Sequence, residues 1–256
     1  MAATDTQVPI IINNRDRLEP LLKLLDWLQR AGQHNIYIVD NDSTYPPLLA
    51  YYRRCPYKVI MLRENVGHLA AWTQGIVEQV AKDQYYVVSD PDIVPVEYCP
   101  TDALDRFRDI LDRHPDRFKA GFGLKIDDLP SHYKFASEVK AWEGQFWTME
   151  REPGVFDAPI DTTFALYRPG SPQLVSALRT GEPYVARHTP WYANTRRPDR
   201  EERYYRAHTR ADVNHWDGTE LPDRLYTMME NAGLDVKQPQ PREKVSLLQR
   251  VLGRRS

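Results

Sequence analysis

Cysteine is nearly absent from this chain: Cys55 and Cys99 are the two among 256 residues. They form neither a disulfide framework nor a metal-type spacing, which fits a reducing compartment. Long apolar runs are missing as well. The first one, Val8 to Ile12, has no basic segment before it; it is too short for a signal-peptide core and far too short for a membrane span. No later run approaches a span. Charge of one sign is not in excess either. The formal net charge of -2 argues against nucleic acid as a bulk electrostatic partner. There is no internal repeat, no low-complexity tract and no Gly-rich, Arg-containing loop after the first apolar run. That last absence speaks against a nucleotidyltransferase. What remains is an ordinary globular composition, 41% apolar and 27% charged. The expected location is the cytoplasm.

The stretch Tyr85 to Pro95 organises the rest. Tyr85-Tyr86-Val87-Val88 has high strand propensity and runs into Asp90-Pro91-Asp92. The prolines end the strand and stiffen its exit. Two carboxylates one residue apart then lie at a strand's C-terminal edge, where open α/β sheets place their ligand crevice. Such hard oxygen donors suit Mg²⁺ or Mn²⁺ bound with a diphosphate. A lone Asp-x-Asp also occurs in surface turns, so the remainder of the chain has to decide.

Before that stretch the pattern alternates. Val8 to Ile12 reads as a strand, and Asn13 to Arg17 as a polar loop. Leu18, Leu21, Leu22, Leu25 and Leu28 follow at helical spacing, with Gly32 as the stop. Ile36 to Val39 is a second strand, ending in Asp40-Asn41-Asp42-Ser43-Thr44. A short helix over Pro46 to Arg54 and a strand over Tyr57 to Leu62 lead to Arg63-Glu64-Asn65-Val66-Gly67. A helix is expected from His68 to Ala81. Repeated strand–helix units argue for a parallel sheet with covering helices. One sheet edge would then collect Asn13, Asp40, Asp42, Asn65, Asp90 and Asp92. Loops at that edge are polar in any case, but converging acids repel one another without a cation or basic partner.

The second half is less regular. Asp102 to His114 reads as an amphipathic helix capped by Thr101 or Asp102, and Phe118 to Leu124 as a strand with two glycines. Trp142, Phe146 and Trp147 form an aromatic cluster, either core or a stacking surface for sugar rings. Asp161 lies within an otherwise apolar run, Ala158 to Leu166. Arg187 to Arg210 carries seven arginines against three acids. It reads as a solvated helix with internal ion pairs or as a receiver for a phosphate-bearing acceptor. The basic, amphipathic Glu243 to Arg255 is either a terminal helix or a peripheral contact with an anionic membrane at its inner face.

In order and spacing, these motifs resemble a GT-A fold glycosyltransferase of the family 2-like kind that builds bacterial polysaccharides. Val8 to Arg17 resembles the opening strand and nucleotide loop. Asp40 to Thr44 resembles the Asp-x-x-Ser-Thr signature whose acid contacts base or ribose. Asn65-Val66-Gly67 with Ala70-Ala71 resembles the Asn-x-Gly loop and its helix. Asp90-Pro91-Asp92 resembles the Asp-x-Asp that carries a divalent metal onto the donor diphosphate. Departures are Asn13-Asn14 in the first loop and the proline inside Asp-x-Asp.

The resemblance implies an α/β, Rossmann-like, mostly parallel sheet flanked by helices, with a smaller acceptor-side lobe. The domain is single, residues 1–256. Residues 1–124 form a nucleotide-sugar-binding half, 125–215 an acceptor-binding half and 216–256 a C-terminal extension. The implied function is metal-dependent, inverting transfer of a sugar from a nucleoside-diphosphate sugar, a UDP-sugar first, to a saccharide or lipid-linked acceptor. Asn13, Arg15, Asp40, Asp42, Asn65, Gly67 and Asp90 would meet the nucleotide. Asp92 would ligate Mn²⁺ or Mg²⁺ directly, Asp90 through water, with His188 as a late ligand or simply a packed histidine. Asp161 is the first candidate for general base, since its apolar flanks would raise its pKa, and Glu143 the second.

Two other classes compete. Asp40-Asn41-Asp42-Ser43-Thr44 formally meets the strand–Asp-x-Asp-x-Thr pattern of a haloacid-dehalogenase-type phosphohydrolase. In that class, however, the motif closes the first strand, and here a strand–helix unit precedes it. A non-catalytic sugar-nucleotide-binding module on the same fold is the third reading.

Overall fold

Ile10, Ile11 and Ile12 are all fully buried. A strand apolar on every residue needs cover on both faces of its sheet, and that is the architecture found. The structure is a computed structural model that describes residues 7–173, 175–209, 221 and 223–234. The basic tail from Glu243 to Arg255 lies outside the described residues.

The chain runs β1 (Ile10–Asn14), α1 (Glu19–Arg30), β2 (Ile36–Asp40), α2 (Pro46–Tyr52), β3 (Lys58–Met61), α3 (Ala70–Thr73), α4 (Ile76–Val80) and β4 (Tyr86–Ser89). It continues through β5 (Ile93–Pro95), α5 (Ala103–Arg113), β6 (Lys119–Leu124), α6 (Ala136–Gly144), β7 (Glu150–Glu152) and β8 (Val155–Asp157). The last elements are β9 (Ala165–Tyr167), β10 (Ala177–His188), α7 (Arg200–His208) and α8 (Asp223–Asn231). The strands form one sheet ordered β3-β2-β1-β4-β9-β6-β10-β8-β7, with β5 paired to β10. β1 to β4 are parallel, as the repeated strand–helix pattern predicts. β9 is antiparallel to both β4 and β6, and β10 is parallel to β6. Six strands therefore point one way, and their C-terminal ends share one edge. The same sheet runs through both halves of the chain.

The core divides by side-chain alternation. Ile10, Ile12, Ile36 and Ile38 pack with Leu21, Leu24 and Leu28 of α1 and with Phe107 of α5. Ile11, Val39, Tyr86 and Val88 pack on the other face with Ala70, Ala71, Ile76 and Val77. No helix among the described residues is long and apolar enough to cross a membrane.

Several expectations are corrected. β1 begins at Ile10 and includes Asn13 and Asn14, so those side chains are set by strand geometry, not by a loop. The helix expected over His68–Ala81 is two short pieces, because Gly75 between them has a φ of 65°. A residue in the left-handed region interrupts the helical ladder. Asp102 does precede α5, but its carboxylate accepts from the Tyr184 hydroxyl at 3.1 Å and caps no helix amide. Gly121 is required by packing. A Cβ there would lie 2.3 Å from the Phe164 carbonyl oxygen, so β9 and β6 approach closely only because the side chain is missing.

Candidate active site at the shared strand edge

β4 ends at Ser89, and the next residues put Asp90 and Asp92 at the edge where β1, β2 and β10 also end. The Asp90 amide donates to the Thr162 carbonyl at 3.1 Å, and the Thr162 hydroxyl donates to Asp90 Oδ2 at 2.6 Å. Thr162 is thus fastened to Asp90 by backbone and side chain together. Burial, followed by the charges of Asp92 and Asp161, holds the Asp90 pKa well above the usual carboxylate range, against the Thr162 hydrogen bond.

Asp92 is driven the other way. Burial works to raise its pKa, but His188 and, behind it, Arg17 outweigh burial and lower it. His188 Nε2 lies 3.7 Å from Asp92 Oδ2. Its delivery is topological. β10 slips register between Thr180 and Val185, leaves β8, and pairs its last residues with β5, so that His188 stands opposite Ile93. The Thr189 amide then donates to the Asp92 carbonyl at 2.9 Å. The His188 ring packs edge-on against Trp191 at 4.7 Å.

Among the described residues, no group of three or more His, Cys, Asp or Glu side chains stands as a ready-made metal cluster. The donor chemistry nonetheless fits a hard divalent cation. Asp92 Oδ1 and His188 Nδ1 are buried with no hydrogen-bond partner among the described residues, and the Asp90 carboxylate is close enough to Asp92 to feel its charge. Two neighbouring carboxylates whose pKa values are forced apart are a pair that a cation would allow to ionise together.

The neighbouring loops brace one another. Asn41 Nδ2 donates to the Gly67 carbonyl at 2.8 Å, and its Oδ1 accepts from the Val66 amide at 2.8 Å. Asn13 Nδ2 reaches the same Gly67 carbonyl at 3.4 Å, leaving its buried Oδ1 unpartnered. Asn65 Oδ1 accepts from the Gly67 amide at 3.1 Å, and Gly67 has a φ of 88°, which explains the glycine. Arg15 donates to the His208 carbonyl at 2.8 Å. Asp42 is half-buried at a φ of 66°.

Asp40 departs from its expected role. It is 0% exposed, and Oδ1 accepts from the Ser43 amide at 2.9 Å. Its Oδ1 shapes the loop, while Oδ2 is buried with no hydrogen-bond partner among the described residues. The same burial speaks against the phosphohydrolase reading of this segment, which needs an aspartate nucleophile that a phosphate can reach.

Both candidate bases are also revised. Asp161 is exposed, with its neighbours Ile160 and Thr162 turned inward. The desolvation expected from its apolar flanks is therefore absent, although its charge acts on Asp90. Glu143 is 4% exposed and bound to Arg179 at 2.7 Å, out of reach of an acceptor hydroxyl. The aromatic cluster is half-buried, with Trp142 against Phe146 at 5.8 Å and Trp147 against Phe156 at 5.2 Å.

Sequence reading missed the part played by α7. Glu201 accepts from the Leu18 and Glu19 amides at 3.0 and 3.1 Å, serving as the cap that α1 lacks locally. Arg17 pairs with Glu202 at 2.7 Å, and Tyr204 donates to the Thr44 carbonyl at 2.9 Å. Over its described residues, 187–209, the basic segment is accordingly a docked, ion-paired helix with its approach. A cavity of about 520 Å³ between α7 and β5 is lined by Arg17, Val94, Arg187, Thr189, Tyr192 and Glu202. Asp90, Asp92 and Asp161 do not line it.

No family model matches the chain, and no curated protein is similar to it in sequence. Some solved structures are similar to part of it. One is a mannosyltransferase from Pyrobaculum calidifontis in complex with GDP-Man and Mn²⁺, at 15% identity and TM-score 0.48, covering 74% of this chain and 59% of that one. A second is HddC from Yersinia pseudotuberculosis complexed with GMP-PN, at 11% identity and TM-score 0.35, covering 68% and 74%. A third is a UDP-glucose pyrophosphorylase complexed with UDP-glucose, at 12% identity and TM-score 0.34, covering 68% and 76%. This chain spans less than two thirds of the mannosyltransferase. The likeness is distant and partial.

Lys119 was read only as part of a strand. It is 1% exposed, and its Nζ donates to the Ile160 and Gln173 carbonyls at 2.6 and 2.9 Å. Burial lowers its pKa to about 8, Asp161 working against the shift and Arg179 with it. An unfolded lysine titrates near 10.4, so between about pH 8 and that value the unfolded chain binds a proton that the folded chain has lost. Stability therefore rises with pH across this window. In urea titrations, wild type should gain on Lys119→Met by up to about 1.4 kcal/mol per pH unit there. A difference that stays flat from pH 8 to 10 would contradict the shift.

Proposed function

We propose that the protein is a metal-dependent glycosyltransferase moving a sugar from a nucleoside-diphosphate sugar, a UDP-sugar first, to a saccharide or lipid-linked acceptor. The observation that carries this reading is the meeting of Asp92 with His188, 3.7 Å apart at the edge that also ends β1 and β2. Strand edges of this kind are where open α/β sheets bind nucleotides. A carboxylate pair joined by an imidazole from a distant strand is a donor set for Mn²⁺ or Mg²⁺.

In this reading Asn13, with its free Oδ1, together with Arg15, Asp42, Asn65 and the Gly67 turn, receives the nucleotide. Asp90, Asp92 and His188 hold the metal. When bound, the metal neutralises charge on the departing diphosphate. Asp161, exposed at the mouth beside Asp90, takes the proton from the acceptor hydroxyl as its oxygen bonds to the sugar's anomeric carbon. The bond from that carbon to the diphosphate breaks, and the nucleoside diphosphate leaves. Attack opposite the leaving group inverts the anomeric centre. Asp161 starts in water, and the arriving acceptor supplies the desolvation that strengthens it as a base.

The test is calorimetric titration of the full chain with UDP, GDP, CDP and dTDP, each with and without Mn²⁺. Metal-dependent binding of one nucleotide is the expected result. A folded protein that binds none of them would end the transferase reading.

A further inference from the structure

Two successive carbonyls, those of Pro159 and Ile160, each meet a buried cation. Arg179 Nε donates to the first at 2.8 Å, and Lys119 Nζ to the second at 2.6 Å. Arg179 is 5% exposed. Its Nη1 is held by Glu143 Oε2 at 2.7 Å, and its guanidinium lies over the Phe146 ring at 4.4 Å. Glu143, on α6, thus reaches the 159–160 segment through β10, while Lys119 reaches it from β6.

Burying two cations and one carboxylate is a costly way to pack a loop, and apolar side chains would serve packing alone. What the charges add is direction: Arg179 ends on the Pro159 carbonyl, and Lys119 is shared between the Ile160 and Gln173 carbonyls. The next residue is Asp161, and the one after is Thr162, bonded twice to Asp90.

We propose that Glu143, Arg179 and Lys119 are positioning residues, a buried clamp on Pro159 and Ile160 that presents Asp161 and Thr162 to Asp90. None of the three touches substrate. They act through the loop, and Glu143 takes this place in the site instead of that of a base. The clamp's effect on rate rests on the transferase reading; its effect on loop geometry does not.

Two variants test it, Glu143→Gln and Lys119→Met, each keeping roughly the shape of the side chain. The first readout is hydrogen exchange at the Asp90 amide, whose acceptor is the Thr162 carbonyl. The second is slow transfer of the donor sugar to water, with donor affinity measured alongside. Exchange at Asp90 should rise by about tenfold or more while β1 and β2 keep their protection. The kcat should fall by about 100-fold, with donor Kd within about twofold of wild type. Wild-type exchange and wild-type kcat in both folded variants would overturn the proposal. So would a uniform loss of protection across the sheet with kcat per folded molecule unchanged, the signature of packing alone. If wild type binds no nucleotide, the transferase reading fails, and exchange at Asp90 by itself decides the clamp.

Discussion

Asp92→Asn will remove the metal-dependent part of nucleotide binding, by about 100-fold or more, without unfolding the protein. Asp92 is the carboxylate whose pKa is lowered, His188 and Arg17 prevailing over burial, so it carries its charge at neutral pH. Its Oδ1 has no partner among the described residues, so the variant breaks no strong internal hydrogen bond there. Chelating the metal from wild type should reproduce the loss and add nothing in the variant. Asp90→Asn should behave more mildly. Asp90 already resists ionisation, and an asparagine can still accept from the Thr162 hydroxyl at this position. Calorimetry with Mn²⁺ present decides. Wild-type affinity in Asp92→Asn would separate this carboxylate from the metal and leave the Asp-x-Asp as a strand-end turn.

The second large effect is on the chemical step. Asp161→Asn should lower kcat by about 10²- to 10⁴-fold with donor affinity unchanged, the usual range for loss of a general base. Burial does not complicate the result, because Asp161 is exposed and its substitution leaves no buried hole. Losing its charge should also ease the repulsion on Asp90. A variant that keeps its rate would show that the proton leaves by another route.

The sheet and most of its first half were legible in the sequence. Apolar runs such as Ile10 to Ile12 are buried on both faces, and local spacing declares them. β1 to β4 and α1 therefore came out close to expectation, and so did the gathering of their polar ends. The misreadings have local causes too. Gly75 breaks a helix whose apolar pattern continues through it, because periodicity registers hydrophobicity and not the left-handed φ of one residue.

Within the site, what could be read was side chains whose role follows from type and place on their own strand. Asp90 and Asp92 at the end of β4 are of this kind. His188 could be named a candidate but not placed. Its position depends on the register slip in β10 and on pairing with β5, both of them long-range pairings. The roles of Asp161, Glu143 and Asp40 turned on burial, which a run of neighbours does not determine. Asp161 lies in an apolar run and faces water, while Glu143 and Asp40 are acids and lie inside. Local pattern and composition by themselves determined a two-sided α/β sheet with an acidic pair at the end of its fourth strand. Tertiary structure alone decided which acids keep their solvent and which are spent on Ser43 or Arg179. The physical reason is that solvation and ion pairing are set by neighbours in space, here 96 residues apart for Asp92 and His188 and 185 for Arg17 and Glu202.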